Sequence, residues 1–412
     1  MLTNYIKIAW KVLLRHPFYT FITLFGISLT LTVLMVLTSF IDYLVGSHYP
    51  EGKRSRSLYL MQLGITDSTN NSRNQSSLSY KFLKQFVLPL KTPEKISIVS
   101  AGTTTNSYVG SKRLKLELKF TDATFWEITD FAFVEGKPYR QPNVTNGDNV
   151  AVISESFRDD YFGREAVVVG KSIEVDNTRY RVLGVVKSVP ATQLFTSADV
   201  YLPYTVPKSN YLTDGYLGMF QVIILARDSQ QMAAIKQEYK EVISRIPVPF
   251  VDNGFKAYHV ETQAKTYFDT FANTQAGGPD IATFLTLVVL FALMFMLLPA
   301  LNLVNLNVGR SMERASEIGI RKAFGAPITT LLGQFIIENL FITLLGGLIA
   351  LGLSWIIITL INQSGWIAHL DMTINLTVLI VSTLLTLIFG VLSGIIPAWR
   401  MAKLSIADAL KS

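Results

Sequence analysis

The sequence predicts a membrane α-helical protein with four transmembrane helices. A large α+β extracytoplasmic domain is inserted between helices 1 and 2. Three observations carry this. Half of the 412 residues are hydrophobic and 16% are charged, with a mean hydropathy of +0.34, which is too apolar for an ordinary soluble domain. Four runs, 18–41, 281–308, 340–361 and 374–397, reach the roughly 20 apolar residues that crossing a bilayer takes. More than 200 residues of mixed polar and apolar composition separate the first run from the second.

Lys and Arg near the run ends set the orientation. Lys7, Lys11 and Arg15 precede the first run with no acid among them, Arg310, Arg314, Arg321 and Lys322 lie between the second and third, and Arg400, Lys403 and Lys411 follow the fourth. Residues 362–373, between the third and fourth, carry no Lys or Arg. Both termini and the 310–326 stretch are therefore expected in the cytoplasm. The outer region, 43–280, holds 27 Lys and Arg against 24 Asp and Glu, but long domains translocate largely regardless of charge. The net charge of +7 thus speaks for topology and not for nucleic acid. With no cysteine, the outer domain folds without disulfides, and its size is enough for a core. The expected organisation is 1–44 for the lead-in and first helix, 45–280 for the outer domain, and 281–412 for helices 2–4 with a coupling segment at 310–338.

The lead-in, 1–15, is basic and amphipathic, read as an interfacial anchor, with contact to an ATPase as the alternative. Run 18–41 exceeds the 7–15 residues of a signal h-region, and no small-residue cleavage site follows, so it is expected to be retained. In the outer region, the polar stretch 64–79 is expected to be a mobile loop. Leu114, Leu116, Leu118 and Phe120 alternate with charged residues as in a half-buried strand. Thr121 or Asp122 is expected to cap a short helix carrying Phe125 and Trp126, and Ser154 to cap one that stops at Gly163. Residues 149–153, 219–226 and 257–262 read as strands, 173–189 as two strands around Asp176-Asn177, and 229–246 as an amphipathic helix opened by Ser229.

Catalytic patterns are missing. Gly170-Lys171-Ser172 resembles the end of a phosphate loop, but the glycine needed five residues earlier is Glu165. There is no HExxH, GxSxG or cysteine nucleophile, and His16, His48, His259 and His369 are scattered. No catalytic or metal site and no bound cofactor is expected on this chain.

The C-terminal third carries the most informative segment. Arg310, Glu313, Arg314, Glu317 and Arg321 share one helix face with alternating signs, and Gly325 followed by Pro327 reads as a helix stop. A solvated helix between two spans would show the same pattern. Beyond it, Ile328, Leu331, Leu332, Phe335 and Ile336 form an apolar stripe, read as a helix lying on or entering the membrane surface, which Glu338 ends where the third span begins. Asn302 and Asn305 share a face near the inner end of the second run. They either hydrogen-bond across a dimer seam or lie at headgroup level. Gly26, Gly346, Gly347 and Gly352 permit close helix approach.

Glu313-Arg314, then Glu317-Ile318-Gly319-Ile320-Arg321-Lys322-Ala323, then Gly325-Ala326 resemble the signature of the MacB/FtsX-like permeases, the membrane subunits of one class of ABC transporter. The resemblance extends to Gly26-Ile27, to Val150-Ala151-Val152-Ile153-Ser154, Phe162-Gly163 and Tyr180-Arg181-Val182-Leu183-Gly184, to Ala198-Asp199-Val200-Tyr201-Leu202-Pro203, and to the 397–410 tail, where Ile406 stands in place of a common proline. Residues 43–111 match only loosely. The resemblance implies that Glu313, Arg314, Glu317, Ile318, Gly319, Arg321, Lys322, Ala323 and Gly325 couple to a separate cytoplasmic ATPase, which would hold ATP and Mg. A second permease chain is implied, with a seam through Gly26, Asn302 and Asn305, along with membrane lipid, a periplasmic adaptor, and a bacterial inner-membrane location. Glu338 would serve helix packing. The implied role is to turn ATP hydrolysis into extracytoplasmic work, by export or mechanotransmission. The alternative is a non-transporting signalling anchor that regulates an envelope enzyme. Macrolide or peptide export, lipoprotein release and envelope signalling all fit one scaffold.

Overall fold

In a computed structural model, the described residues are 14–15, 17–67, 72–109, 112–164, 167–252, 254–275, 328–366 and 369–374, with scattered positions within 286–294 and 380–388. The chain divides into two compact units. One comprises Met1–Tyr43, Ala282–Trp366 and Asp371–Ser412, and the other Leu44–Ile281 with Ile367–Leu370.

The first unit contains helix α1, Pro17–Val45, and a 36-residue helix, Ile328–Gln363. Among the described residues, Thr20–Leu44 and Ile336–Gln363 are long and apolar enough to cross a membrane. Most of the second and fourth apolar runs lies outside the described residues. The long helix corrects the sequence reading at Glu338, which does not end a surface helix but sits buried within one continuous helix. No proline lies between Glu338 and the helix end at Gln363, so no backbone N–H is lost from the ladder and the helix carries on into the apolar run.

The outer unit is built on strands β1 Ser57–Leu60, β2 Leu63–Asp67, β3 Ser72–Leu78, β4 Lys95–Ser100, β5 Thr103–Val109, β6 Lys112–Thr121, β7 Phe133–Gly136, β8 Val150–Ser154, β9 Ser172–Val175, β10 Thr178–Val186, β11 Val200–Pro203, β12 Leu217–Gly218, β13 Phe220–Leu225, β14 Phe250–Asp252, β15 Phe255–Ala257 and β16 His259–Glu261. Six of them close a ring: β11 pairs β8, then β10, β9, β5 and β6 follow, and β6 returns to β11 in parallel, with Val200 opposite Leu118. The alternation read in β6 makes sense here, because Leu114, Leu116, Leu118 and Phe120 are buried in one core cluster with Ala151, Ile153, Val182 and Leu202. From β6 a second run of strands extends through β4, β13, β3 and β2 to β16 at its end.

Local signals explain the joints. Asp176 and Asn177 both take positive φ, 49° and 61°, the turn geometry that a two-residue hairpin between β9 and β10 requires. Ser154 accepts a hydrogen bond from the Phe157 amide and opens helix α2, Glu155–Phe162, which ends at Gly163. The Asp122 carboxylate takes hydrogen bonds from Ser97 Oγ and from the Ile98 and Phe125 amides at 2.8, 3.1 and 2.8 Å, so it anchors the short helix Phe125–Ile128. Burial pushes its pKa up to about 6, against the pull of these hydrogen bonds.

Three sequence readings are corrected. The described residues of the 64–79 stretch are not a loop. They pair as β2 and β3, with Leu63 opposite Ser76 and Asp67 opposite Ser72. Backbone pairing makes β3 a strand although most of its side chains are exposed and polar. Helix α3, Gln231–Ser244, is opened by Asp228 and not by Ser229, since the Gln231 amide donates to Asp228 Oδ1 at 2.9 Å. Residues 257–262 are not one strand: β15 pairs with β14, and β16 with β2.

Candidate functional site at the root of the outer unit

The chain enters the outer unit at Leu44, and within ten residues it buries a charge. Arg54 is 5% exposed, as is Glu51, three residues before it. Arg54 Nε donates to Glu51 Oε2 at 3.0 Å. One terminal nitrogen donates to the Leu44 and Gly46 carbonyls, and the other donates to Gln193 Oε1 at 2.6 Å. The guanidinium lies 3.5 Å from the centroid of the Tyr267 ring. Such a fork satisfies several acceptors at fixed angles, which an ammonium could not do. It holds three pieces of chain together: the turn after α1, the 192–196 loop, and the start of helix α4, Tyr267–Gln275. Thr266 and Asp269 cap α4 reciprocally, at 3.2 and 3.3 Å.

The carboxylate is equally occupied. Thr196 Oγ1 donates to Glu51 Oε1 at 2.7 Å, and the Tyr59 hydroxyl donates to Oε2 at 3.2 Å. Behind the same loop, Lys119 is 1% exposed and donates to the Leu194 carbonyl at 2.7 Å. Burial pushes the Lys119 ammonium down to about 8, against the attraction of Glu117 and Glu51. Burial also pulls on the Arg54 guanidinium, but Glu51, Tyr267 and Tyr59 more than offset it, leaving Arg54 above its ordinary value. The Tyr59 hydroxyl is raised well above its usual range by burial and then by Glu51. Arg54 therefore stays charged and hydrogen-bonded at every physiological pH. The arrangement offers no exposed nucleophile or vacant acid–base pair, and its chemistry is that of a joint.

In the membrane unit, α1 meets helix α5, Ile328–Gln363, through Ile27, Leu31, Ile342 and Ala350. A Cβ added at Gly346 would stand 2.7 Å from Ile27 Cγ2, so the glycine is what allows this approach. Thr32 Oγ1 donates to Ser28 O at 2.7 Å and lies 3.5 Å from Ala350 O. Ser354 Oγ is 3.7 Å from the Met35 sulfur. Gly26 is half-buried beside this contact, and its carbonyl accepts from Thr30 Oγ1 at 2.9 Å. The other residues singled out from sequence, Glu313, Arg314, Glu317, Ile318, Gly319, Arg321, Lys322, Ala323 and Gly325 with Asn302 and Asn305, lie outside the described residues. Sequence reasoning passed over the Glu51–Arg54 node. Its one signal is an acid and an arginine spaced i, i+3 within a dozen residues of a membrane helix.

Two family models match the chain, the MacB-like periplasmic core domain over residues 20–242 and the FtsX-like permease C-terminal over 289–406. Among curated proteins, an uncharacterized ABC transporter permease, YknZ of Bacillus subtilis, is 23% identical over 419 residues, covering 98% of each chain. The macrolide export ATP-binding/permease protein MacB of Burkholderia cenocepacia is 23% identical over 416 residues, 98% of this chain. This chain spans only 57% of that relative's length. Among solved structures, the extracellular domain of YknZ from Gram-positive bacteria matches 49% of this chain and 98% of its own, with 14% identity and a TM-score of 0.37. The periplasmic region of MacB from Actinobacillus actinomycetemcomitans matches 56% and 96%, with 17% identity and a TM-score of 0.38. With a periplasmic-core match over more than half its length and a permease match after it, this chain belongs to the MacB/FtsX-like family of ABC transporter permeases, membrane proteins with a periplasmic domain.

Proposed function

We propose that this chain is the permease subunit of an ABC transporter and performs its work outside the membrane, through the outer unit. In this reading it has four spans with both termini in the cytoplasm. A separate ATPase holding ATP and Mg supplies the energy, and a second permease chain completes the complex. The 310–338 segment takes up the ATPase movement, with Glu317 and Arg321 as its main polar contacts. The observation that supports the outer unit as the working part is the Arg54 node. The node ties the first residues of the outer unit to its 192–196 loop and to α4, so movement reaching those residues would pass into the body of that unit.

The test is pull-down of the cognate ATPase by Glu317→Ala and Arg321→Ala chains at normal membrane levels. Loss of a desolvated charged contact costs about 2–5 kcal/mol of association, tenfold or more in affinity. A helix that only satisfies itself loses about 0.3–0.5 kcal/mol of its own stability and keeps the ATPase. Undiminished binding and ATP turnover in both variants would refute the coupling role.

A further inference from the structure

The outer unit holds a cavity of about 1180 Å³ whose walls are unlike each other. One wall is β16, the terminal strand of its sheet, which among the described strands pairs only with β2. The other is a single face of helix α3: Lys236, Tyr239, Lys240 and Ile243 stand at i, i+3, i+4 and i+7. Both faces of β16 border the space. His259 and Glu261 share one face, because they oppose Thr66 and Gly64 on β2, which in turn oppose Arg73 and Gln75 on β3. Val260 belongs to the other face, and Thr262 just past the strand bonds the Tyr239 hydroxyl at 3.0 Å. A cavity bordered by both faces of a terminal strand lies along that strand's open edge. The face of helix α3 lines the same space from the other side.

The charges are uneven. Arg73 pairs with Glu261 at 2.7 Å across Gly64, and Lys236 lies 3.9 Å from Asp269. Lys240 and Lys265 also line the cavity, and no ion pair among the described residues uses them. The helix face from 236 to 243 is about 10 Å long at 1.5 Å per residue, the length of a strand of roughly four residues.

We propose that this groove binds an extended acidic peptide segment of another extracytoplasmic protein as an added strand on β16. Its main chain pairs with the open edge, its apolar side chains meet Tyr239 and Ile243, and its carboxylates meet Lys240 and Lys265. The inference requires the outer unit to stand outside the membrane, and it does not depend on ATPase coupling. An assay without ATPase therefore separates the two: failure here leaves the coupling reading intact, and the reverse holds.

The probe is a fluorescent nonapeptide of alternating Val and Glu, titrated by anisotropy against the full chain in nanodiscs. Two controls leave the protein untouched. One replaces Glu by Lys, and the other is N-methylated at alternate amides, so that it keeps its charge but cannot pair as a strand. Each is expected to bind at least tenfold more weakly. A Lys240→Glu/Lys265→Glu chain, checked for folding by circular dichroism, is expected to reverse the preference between the Glu and Lys peptides. Equal binding of the N-methylated peptide would mean a charged surface only and would overturn the proposal. So would equal binding of the Glu and Lys peptides. A single cysteine at Val260 that cross-links two copies despite excess peptide would give the groove to a second copy and overturn it as well.

Discussion

The root of the outer unit and the α1–α5 contact each bring distant segments of the chain together within their own unit, yet they use opposite chemistry. At the root, an arginine, a glutamate, a glutamine, a threonine and two tyrosines are buried together and nearly every polar atom is satisfied. In the membrane unit, closeness comes from what is absent: Gly346 has no Cβ, and Ile27 fills the space. The difference follows from the solvent each was built against. Outside the membrane, a buried charge network is directional and fails as a whole when one member is lost. Between helices in lipid there is no hydrophobic gain to collect, so backbone proximity and dispersion hold the pair, and the loss is graded.

The strongest way to break this contrast is to remove one charge from the root. Glu51→Ala or Arg54→Met is expected to cost about 3–5 kcal/mol, because each strands its buried partner. The pair Glu51→Leu/Arg54→Met is expected to recover much of that loss. Urea unfolding of the full chain reads both, and single and double variants that each lose under about 1 kcal/mol would mean that the node holds nothing.

The next effect is a pH dependence confined to the outer unit. Asp122 binds its proton more tightly folded, at about 6, than unfolded, at about 3.9. The native state therefore carries more protons in that window, and stability falls as pH rises through it. Lys119 has the reverse sign. It titrates near 8 when folded and near 10.4 unfolded, so the unfolded state carries more protons and stability rises with pH between those values. Each shift is about two units, on the order of 3 kcal/mol. Asp122→Asn is expected to flatten the acid limb of a urea-midpoint profile and Lys119→Met the alkaline limb. Slopes that survive these substitutions would assign the titrations elsewhere.

The smallest expected effect sharpens the membrane side. Gly346→Ala places a methyl group on Ile27 and is expected to cost about 1–3 kcal/mol. Nothing lies within 4 Å of a Cβ at Gly352, so Gly352→Ala is expected to be neutral or to gain up to about 1 kcal/mol of helix propensity. Thermal inactivation in detergent compares the two, and equal costs would remove the special standing of Gly346.

Much of the outer unit was legible in the chain where one residue type has one local solution. Asp176-Asn177 tolerates the left-handed turn, Ser154 caps a helix that Gly163 stops, and β6 alternates because one face is buried. The polar β3 was not legible, since its strand state comes from the β2 partner and not from its own side chains. The root was legible only as an isolated acid and arginine. Gln193, Thr196 and Tyr267 lie about 140 to 220 residues further along the chain, and no local pattern announces that they converge.

By itself, the sequence determined the apolar runs, the charge asymmetry around them and the family motifs, because these are properties of short segments and of the solvent they face. The tertiary structure decided which polar residues became a buried joint, which strand was left at the end of its sheet, and which glycine touches a neighbour. Each of these depends on what distant segments bring to within hydrogen-bonding or contact distance, and the free energy of burying a charge or baring an edge is set by that company and not by the residue alone.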